Sequence, residues 1–206
     1  MLIKLAKIVK KSFRNLGEKG YTLVEVAAVV AVTATMAAVV VPVAMDKVAE
    51  GKKMAALQDC RRIGNAIISF YRDTGIWPAY NGTATNYYAV LRSGDKHHDD
   101  PKDPNGYWRG PRDFLQYHLG VDYHGYLTKG YNWKGPYSES LTKRDPWGNN
   151  YLVYIKGMHT ATTGGAKKYG WIISAGPNGE IETPVTSDVL GGDDIGYYPY
   201  AAEVGH

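Results

Sequence analysis

The sequence predicts an α+β chain in which one long N-terminal α-helix, membrane-spanning in its first half, packs its second half on a small C-terminal antiparallel β-sheet domain with long loops. Three observations carry this expectation. From Tyr21 to Met45 runs an apolar stretch of 25 residues whose one charge is Glu25 and whose one helix breaker is Pro42. Beyond it Leu57, Cys60, Ile63, Ile67 and Phe70 or Tyr71 recur at helical spacing with charges between them. Near the C-terminus Tyr151 to Ile155 and Tyr169 to Ile173 are short apolar and aromatic runs bounded by turn residues, as short antiparallel strands are. The expected organisation is a basic leader over 1–20, an apolar half-helix over 21–45, an amphipathic half-helix over 46–76 and a globular domain over 77–206.

The leader comes first. Lys4, Lys7, Lys10, Lys11, Arg14 and Lys19 stand there against Glu18 alone, so the formal charge of +4 for all 206 residues is concentrated in the first 20 and the remainder is close to neutral. No basic patch interleaved with aromatics follows, which argues against nucleic acid as a partner. The apolar stretch would span roughly 37 Å at about 1.5 Å per residue, against a hydrocarbon core of about 30 Å. Basic flanks stay on the cytoplasmic side, so everything after Met45 is expected to cross the membrane. A cleaved secretory signal has an apolar region of only about 7–15 residues. A plain anchor gives no reason for a carboxylate in the first turn, where an ionisable group in lipid is costly and calls for a partner.

The amphipathic continuation should end at Thr74-Gly75, with Pro78 beyond it, because glycine just past the last turn and proline soon after are stop signals. Gly51 and Gly64 each weaken such a helix by up to about 1 kcal/mol relative to alanine. The lone Cys60 excludes an intrachain disulfide and reads as packing. From Ile76 to Gly130 the chain should be mostly loop, with two short helix-like patches at Tyr87 to Arg92 and Arg112 to Leu119. The run His97-His98-Asp99-Asp100 reads as a solvated loop, since adjacent histidines do not easily face one ion. Nucleophile-elbow, zinc-protease and phosphate-loop signatures are missing from the sequence, so an enzyme is not expected.

The run Gly20-Tyr21-Thr22-Leu23-Val24-Glu25 behind a basic leader resembles the type IV prepilins and the pseudopilins of type II secretion. In that family a membrane-embedded prepilin peptidase cuts after the glycine and methylates the new N-terminus, which the resemblance puts at Gly20 and Tyr21. It also implies that Glu25 pairs with the N-terminal amine of a neighbouring subunit during assembly, and it gives Pro42 a counterpart in similar helices. Four C-terminal segments are similar to the major pseudopilins of type II secretion: Gly135-Pro-Tyr137, Lys143-Arg-Asp-Pro-Trp-Gly-Asn-Asn-Tyr151, Trp171-Ile-Ile-Ser-Ala-Gly-Pro-Asn-Gly-Glu180 and Gly191-Gly-Asp-Asp-Ile195. Phe70 to Pro78 is similar too, whereas residues 79–134 look longer and different.

The resemblance implies a type IV pilin-like fold and a calcium loop at Ser187, Asp188, Asp193 and Asp194. Three carboxylates that close in sequence suit a hard cation wanting about six to eight oxygens. It further implies a single-pass protein of the bacterial inner membrane with a periplasmic C-terminal domain. Such a chain polymerises with itself and with minor pseudopilins on an inner-membrane assembly platform, and so helps drive protein export. The alternative is a type IV pilin forming extracellular fibres for adhesion, motility or DNA uptake.

Overall fold

The computed structural model describes residues 20–78, 88–160 and 170–199. Residues 1–19 of the leader, and the starts of the runs at Tyr87 and Tyr169, lie outside the described residues. Residues up to Val48 and those from Ala49 onward form two compact units.

In the first unit the chain enters helix α1 (Leu23–Thr74), which continues through Pro42. By length and composition α1 is apolar enough to cross a membrane. Val24, Met36, Val39 and Met45 are all exposed, so this stretch has no protein core of its own to enter. Its few hydroxyls are satisfied internally: Thr33 Oγ1 donates to the Val29 carbonyl at 2.8 Å and Thr35 Oγ1 to the Ala31 carbonyl at 3.0 Å. Such back-bonding removes the polar penalty of threonine in apolar surroundings.

In the second unit α1 becomes amphipathic and ends at Thr74, with Gly75 at φ 73°. A five-stranded sheet follows in the order β2-β1-β3-β4-β5, built from β1 (Val90–Arg92), β2 (Arg112–Phe114), β3 (Leu152–Tyr154), β4 (Ile172–Ser174) and β5 (Ile195–Tyr197). β1 pairs in parallel with β2, and the other three pairs are antiparallel. The sheet is therefore mixed, not purely antiparallel as the sequence suggested. The expected helical patches are corrected too. Val90 to Arg92 is a strand, and Arg112 to Leu119 opens as one before a π-helical turn over Gln116–Gly120. Short apolar runs do not tell a strand from a buried helical turn, and here pairing with β3 and β1 decides.

Alternation along each strand shows why these residues form a sheet. Leu91, Val153 and Ile172 face α1, where Ala56, Cys60, Ile63, Ile67 and Phe70 pack against them. Their neighbours Val90, Leu152 and Ile173 face the opposite side, covered by Trp108, Ala175 and Ile181. Both faces are buried, which is why β3 and β4 read as continuous apolar runs. Of the anticipated helix stripe Leu57 and Tyr71 are half-buried, and Ala56 is fully buried in the core beside Cys60. Gly64 serves close approach more than bending, since a Cβ there would meet Tyr197 at 2.7 Å and Ile172 at 3.1 Å.

Polar contacts fix the register of α1 on the sheet. Asp59, nearly buried, accepts hydrogen bonds from Arg62 at 2.8 Å, Lys143 at 2.7 Å and the Tyr151 hydroxyl at 3.0 Å. One carboxylate thus joins the helix, the loop before β3 and the residue preceding β3, and its full pairing offsets the cost of burying it. The Asp145-Pro-Trp-Gly-Asn149 motif is a turn of similar kind. Asp145 accepts from the Trp147 and Asn149 amides at 3.0 and 2.8 Å and from Ser174 Oγ of β4 at 2.6 Å.

Candidate functional site

The first site lies at the head of α1. Gly20 and Tyr21 are exposed and non-helical. Thr22 then caps the helix, its carbonyl accepting from the Val26 amide at 3.1 Å. Its side chain accepts from the Glu25 amide at 3.2 Å, while Glu25 Oε2 accepts from the Thr22 amide and hydroxyl, both at 2.8 Å. This is a capping box, in which two otherwise orphaned amides are satisfied reciprocally. Within its own chain the Glu25 carboxylate thus has a local partner in Thr22. The signal was legible as Thr22-x-x-Glu25 ahead of an apolar run. Capping also holds the carboxylate at the positive end of the helix dipole, beside the chain that precedes the helix. Pro42 lies exposed inside α1, seventeen residues on by position.

The second site is the acidic loop before β5. Asp194 is buried, and its Oδ2 accepts from the Glu182 amide at 2.9 Å, the Thr183 amide at 2.7 Å and Thr183 Oγ1 at 2.6 Å. Burial pushes its carboxyl above the ordinary range, opposed by those hydrogen bonds and seconded by the charge of Glu182. Asp193 Oδ2 accepts from the Asn178 amide at 3.1 Å. The second oxygens, Asp193 Oδ1 and Asp194 Oδ1, are buried without a hydrogen-bond partner. Among the described residues no lysine or arginine pairs with Asp193, Asp194 or Glu182.

The structure thus brings Asp193 and Asp194 together with Glu182, a residue the sequence reading did not single out. Glu182 Oε2 accepts from the Asp193 amide at 3.2 Å. The tight path needs Gly192, whose φ is 51° and whose place no Cβ could share with the Glu182 carboxylate. Ser187 turns inward on itself, its hydroxyl donating to the Val189 carbonyl at 2.7 Å and its carbonyl accepting from Trp171 at 2.7 Å. Asp188 is exposed.

His97-His98-Asp99-Asp100 is no metal cluster. Residues His97–Asp99 form a 3-10 turn. Asp100 accepts from Arg92 at 2.5 Å and Arg112 at 2.7 Å, and Arg144 pairs with Asp99 at 2.5 Å. Cys60 is fully buried, its thiol pushed far up by burial and then by the charges of Asp59 and Asp145. It is packing, not a nucleophile, because the thiolate is the reactive form.

Comparison with known proteins follows the same lines. Over 166 residues, 81% of this chain and 86% of the other, the sequence is 25% identical to the type II secretion system core protein G of Escherichia coli (strain K12). Over 67 residues it is 34% identical to the fimbrial protein EcpC of Eikenella corrodens, a match covering 32% of this chain and less than half, 44%, of that protein. No family model and no solved structure matches the chain. Neither relative bears the name of an enzyme, and the chain groups with structural subunits. With its long apolar N-terminal helix and small mixed five-stranded sheet the chain has a type IV pilin-like α+β fold, and its two likenesses, to a secretion core protein and a fimbrial protein, both support the type IV pilin and pseudopilin superfamily.

Proposed function

We propose that this chain is the major subunit of a type II secretion pseudopilus, a short filament that grows from the bacterial inner membrane and helps move folded proteins out of the cell. The observation that carries this reading is the likeness to a secretion core protein along 81% of the chain. In this reading a prepilin peptidase cuts between Gly20 and Tyr21, a bond in exposed non-helical chain, and the new amine of Tyr21 is methylated. The C-terminal domain lies in the periplasm. On an inner-membrane assembly platform the apolar half of α1 leaves the bilayer for a core of identical helices and minor pseudopilins. Glu25 then exchanges part of its capping role for the N-terminal amine of the adjoining subunit. Pro42 removes the hydrogen bond to the Ala38 carbonyl and so loosens the helix where it must bend into the filament.

Calcium belongs to the same proposal. The donor set of the acidic loop is all oxygen, and two of those oxygens are buried and unpaired, which is the environment a hard cation satisfies. Asp193 and Asp194 would hold the ion, with Glu182 beside them supplying negative charge; Ser187 and Asp188 complete the candidate loop in sequence. A bound ion would tie β5 to the segment around Thr183 in a domain without a disulfide.

A surface type IV pilin is the second reading, favoured by the likeness to a fimbrial protein. Deleting the gene separates the two. Exported enzymes stranded in the periplasm are the expected result, whereas normal secretion with loss of long surface fibres would select the pilin.

A further inference from the structure

Residues 79–134, which depart from the major pseudopilins, hold a second cluster of ligand-type side chains. Asp113 Oδ2 lies 3.1 Å from His118 Nε2 and 2.7 Å from His124 Nε2. The ligand-type atoms of the three residues all lie within 4.8 Å of one another. Each comes from a different local structure: Asp113 from the middle of β2, His118 from the π-helical turn, His124 from the turn after it. That last turn is held by Asp122, whose carboxylate accepts from the Tyr126 amide at 2.5 Å and the Leu127 amide at 3.0 Å.

We propose that Asp113, His118 and His124 form a binding site for a borderline divalent transition ion, Zn2+ foremost, that pins the turn over residues 116–126 to β2. Two imidazole nitrogens and one carboxylate oxygen are the three-ligand set of open zinc sites, whose fourth position is left to water. The two separations from Asp113, 3.1 and 2.7 Å, are already near the roughly 3.3 Å edge of a tetrahedron with bonds of about 2.0 Å, and the three ligand-type atoms stay within 4.8 Å of one another. The orienting contact is also in place. His118 is fully buried and its Nδ1 sits 2.5 Å from the Tyr126 hydroxyl. Its carbonyl accepts from Trp133 Nε1 at 3.0 Å, which fixes the backbone behind the ring.

Without an ion, Tyr126 O–H donates to Nδ1 of His118, and the Nε2 proton of His118 donates to Asp113. When an ion takes both Nε2 lone pairs, the His118 proton moves to Nδ1 and is donated to the Tyr126 oxygen, with no net proton released from that ring. A metal-ligating histidine whose other nitrogen is hydrogen-bonded is the usual arrangement. His118 is fully buried, and burial favours the neutral ring, the form that ligates. The His118 and His124 rings stack at 4.3 Å, so their nitrogens face the same carboxylate. His124 and Asp113 keep slight exposure, 10% and 11% of their side chains, which leaves an entry path.

The test uses the full chain in detergent micelles, stripped with EDTA and kept in excess Ca2+ so that the acidic loop does not compete. Titration with Co2+ should give visible ligand-field bands that saturate near one equivalent and vanish on adding Zn2+. His124→Gln should weaken Co2+ binding by at least about tenfold, while His98→Gln, outside the cluster, leaves it unchanged. A parallel measurement needs no variant: carbethoxylation of His124 in the parent chain, read by peptide mass spectrometry, should be blocked by Zn2+. Absence of saturable bands in the parent chain, an unchanged Co2+ affinity in folded His124→Gln, or a His124 that Zn2+ leaves unprotected would each overturn the proposal. The cluster would then be a hydrogen-bonded structural network.

Discussion

Glu25→Ala is expected to insert into the membrane as the parent chain does and to yield no filaments, and Glu25→Gln is expected to fail in the same way. The pair matters because Glu25 caps its own helix and, in the proposed filament, would also carry the charge for a neighbour's amine, two roles that a single alanine variant confuses. Alanine removes both the capping box with Thr22 and the negative charge. Losing a cap costs about 0.5–2 kcal/mol and frays the first turn. Glutamine keeps the box, since its amide oxygen accepts from the Thr22 amide as the carboxylate does, but it carries no charge to attract an amine. In the proposed filament core that attraction would act in apolar surroundings, where a charge left without its partner costs several kcal/mol. The assay is the amount of subunit in the sheared filament fraction against that in the membrane fraction. A glutamine variant that assembles like the parent chain would reduce Glu25 to a local cap and remove the intersubunit pair.

The second large effect concerns Asp194. Its replacement by alanine leaves the Glu182 and Thr183 amides and the Thr183 hydroxyl, which all converge on Oδ2, without an acceptor. Each buried unsatisfied group costs about 1–3 kcal/mol. A loss of about 3 kcal/mol lowers the unfolding midpoint of a domain of this size by roughly 6–12 °C. Circular dichroism of the aromatic residues reads that midpoint. Asp193→Asn is the companion variant, because among the described residues the Asp193 carboxylate accepts one hydrogen bond, from the Asn178 amide, and leaves one oxygen unpaired. It should keep the parent midpoint in EGTA yet lose the rise that Ca2+ is expected to produce in the parent chain. An Asp193→Asn chain that Ca2+ stabilises fully would remove Asp193 from the cation site.

The parts of this fold legible in the sequence are those set by local pattern. The apolar run from Tyr21, the stop at Thr74-Gly75 and the aromatic-aliphatic runs of β3 and β4 each carry their period or punctuation in a few consecutive residues. β1 and β2 do not, because three-residue strands owe their state to partners far along the chain: Leu91 faces Val153 and Asp113 alike. The same limit applies to the sites. Thr22 and Glu25 are one turn apart and could be read directly as a cap. Glu182 joins Asp193 across a loop closed by Gly192, so its role emerges only on folding. The adjacent pair His97-His98 stands out in the sequence and reads as a solvated loop, whereas the histidines that converge, His118 and His124, are separated by a π-helical turn that sequence spacing does not announce.

One measurement bears most directly on the central idea, that a trimmed helix carrying an acid near its new start is built to polymerise. Mass spectrometry of the N-terminal peptide, taken from the sheared filament fraction of a host with the prepilin peptidase, should find chains beginning at N-methylated Tyr21. Finding only chains that retain the residues before Gly20, confined to the membrane and absent from any filament, would contradict it.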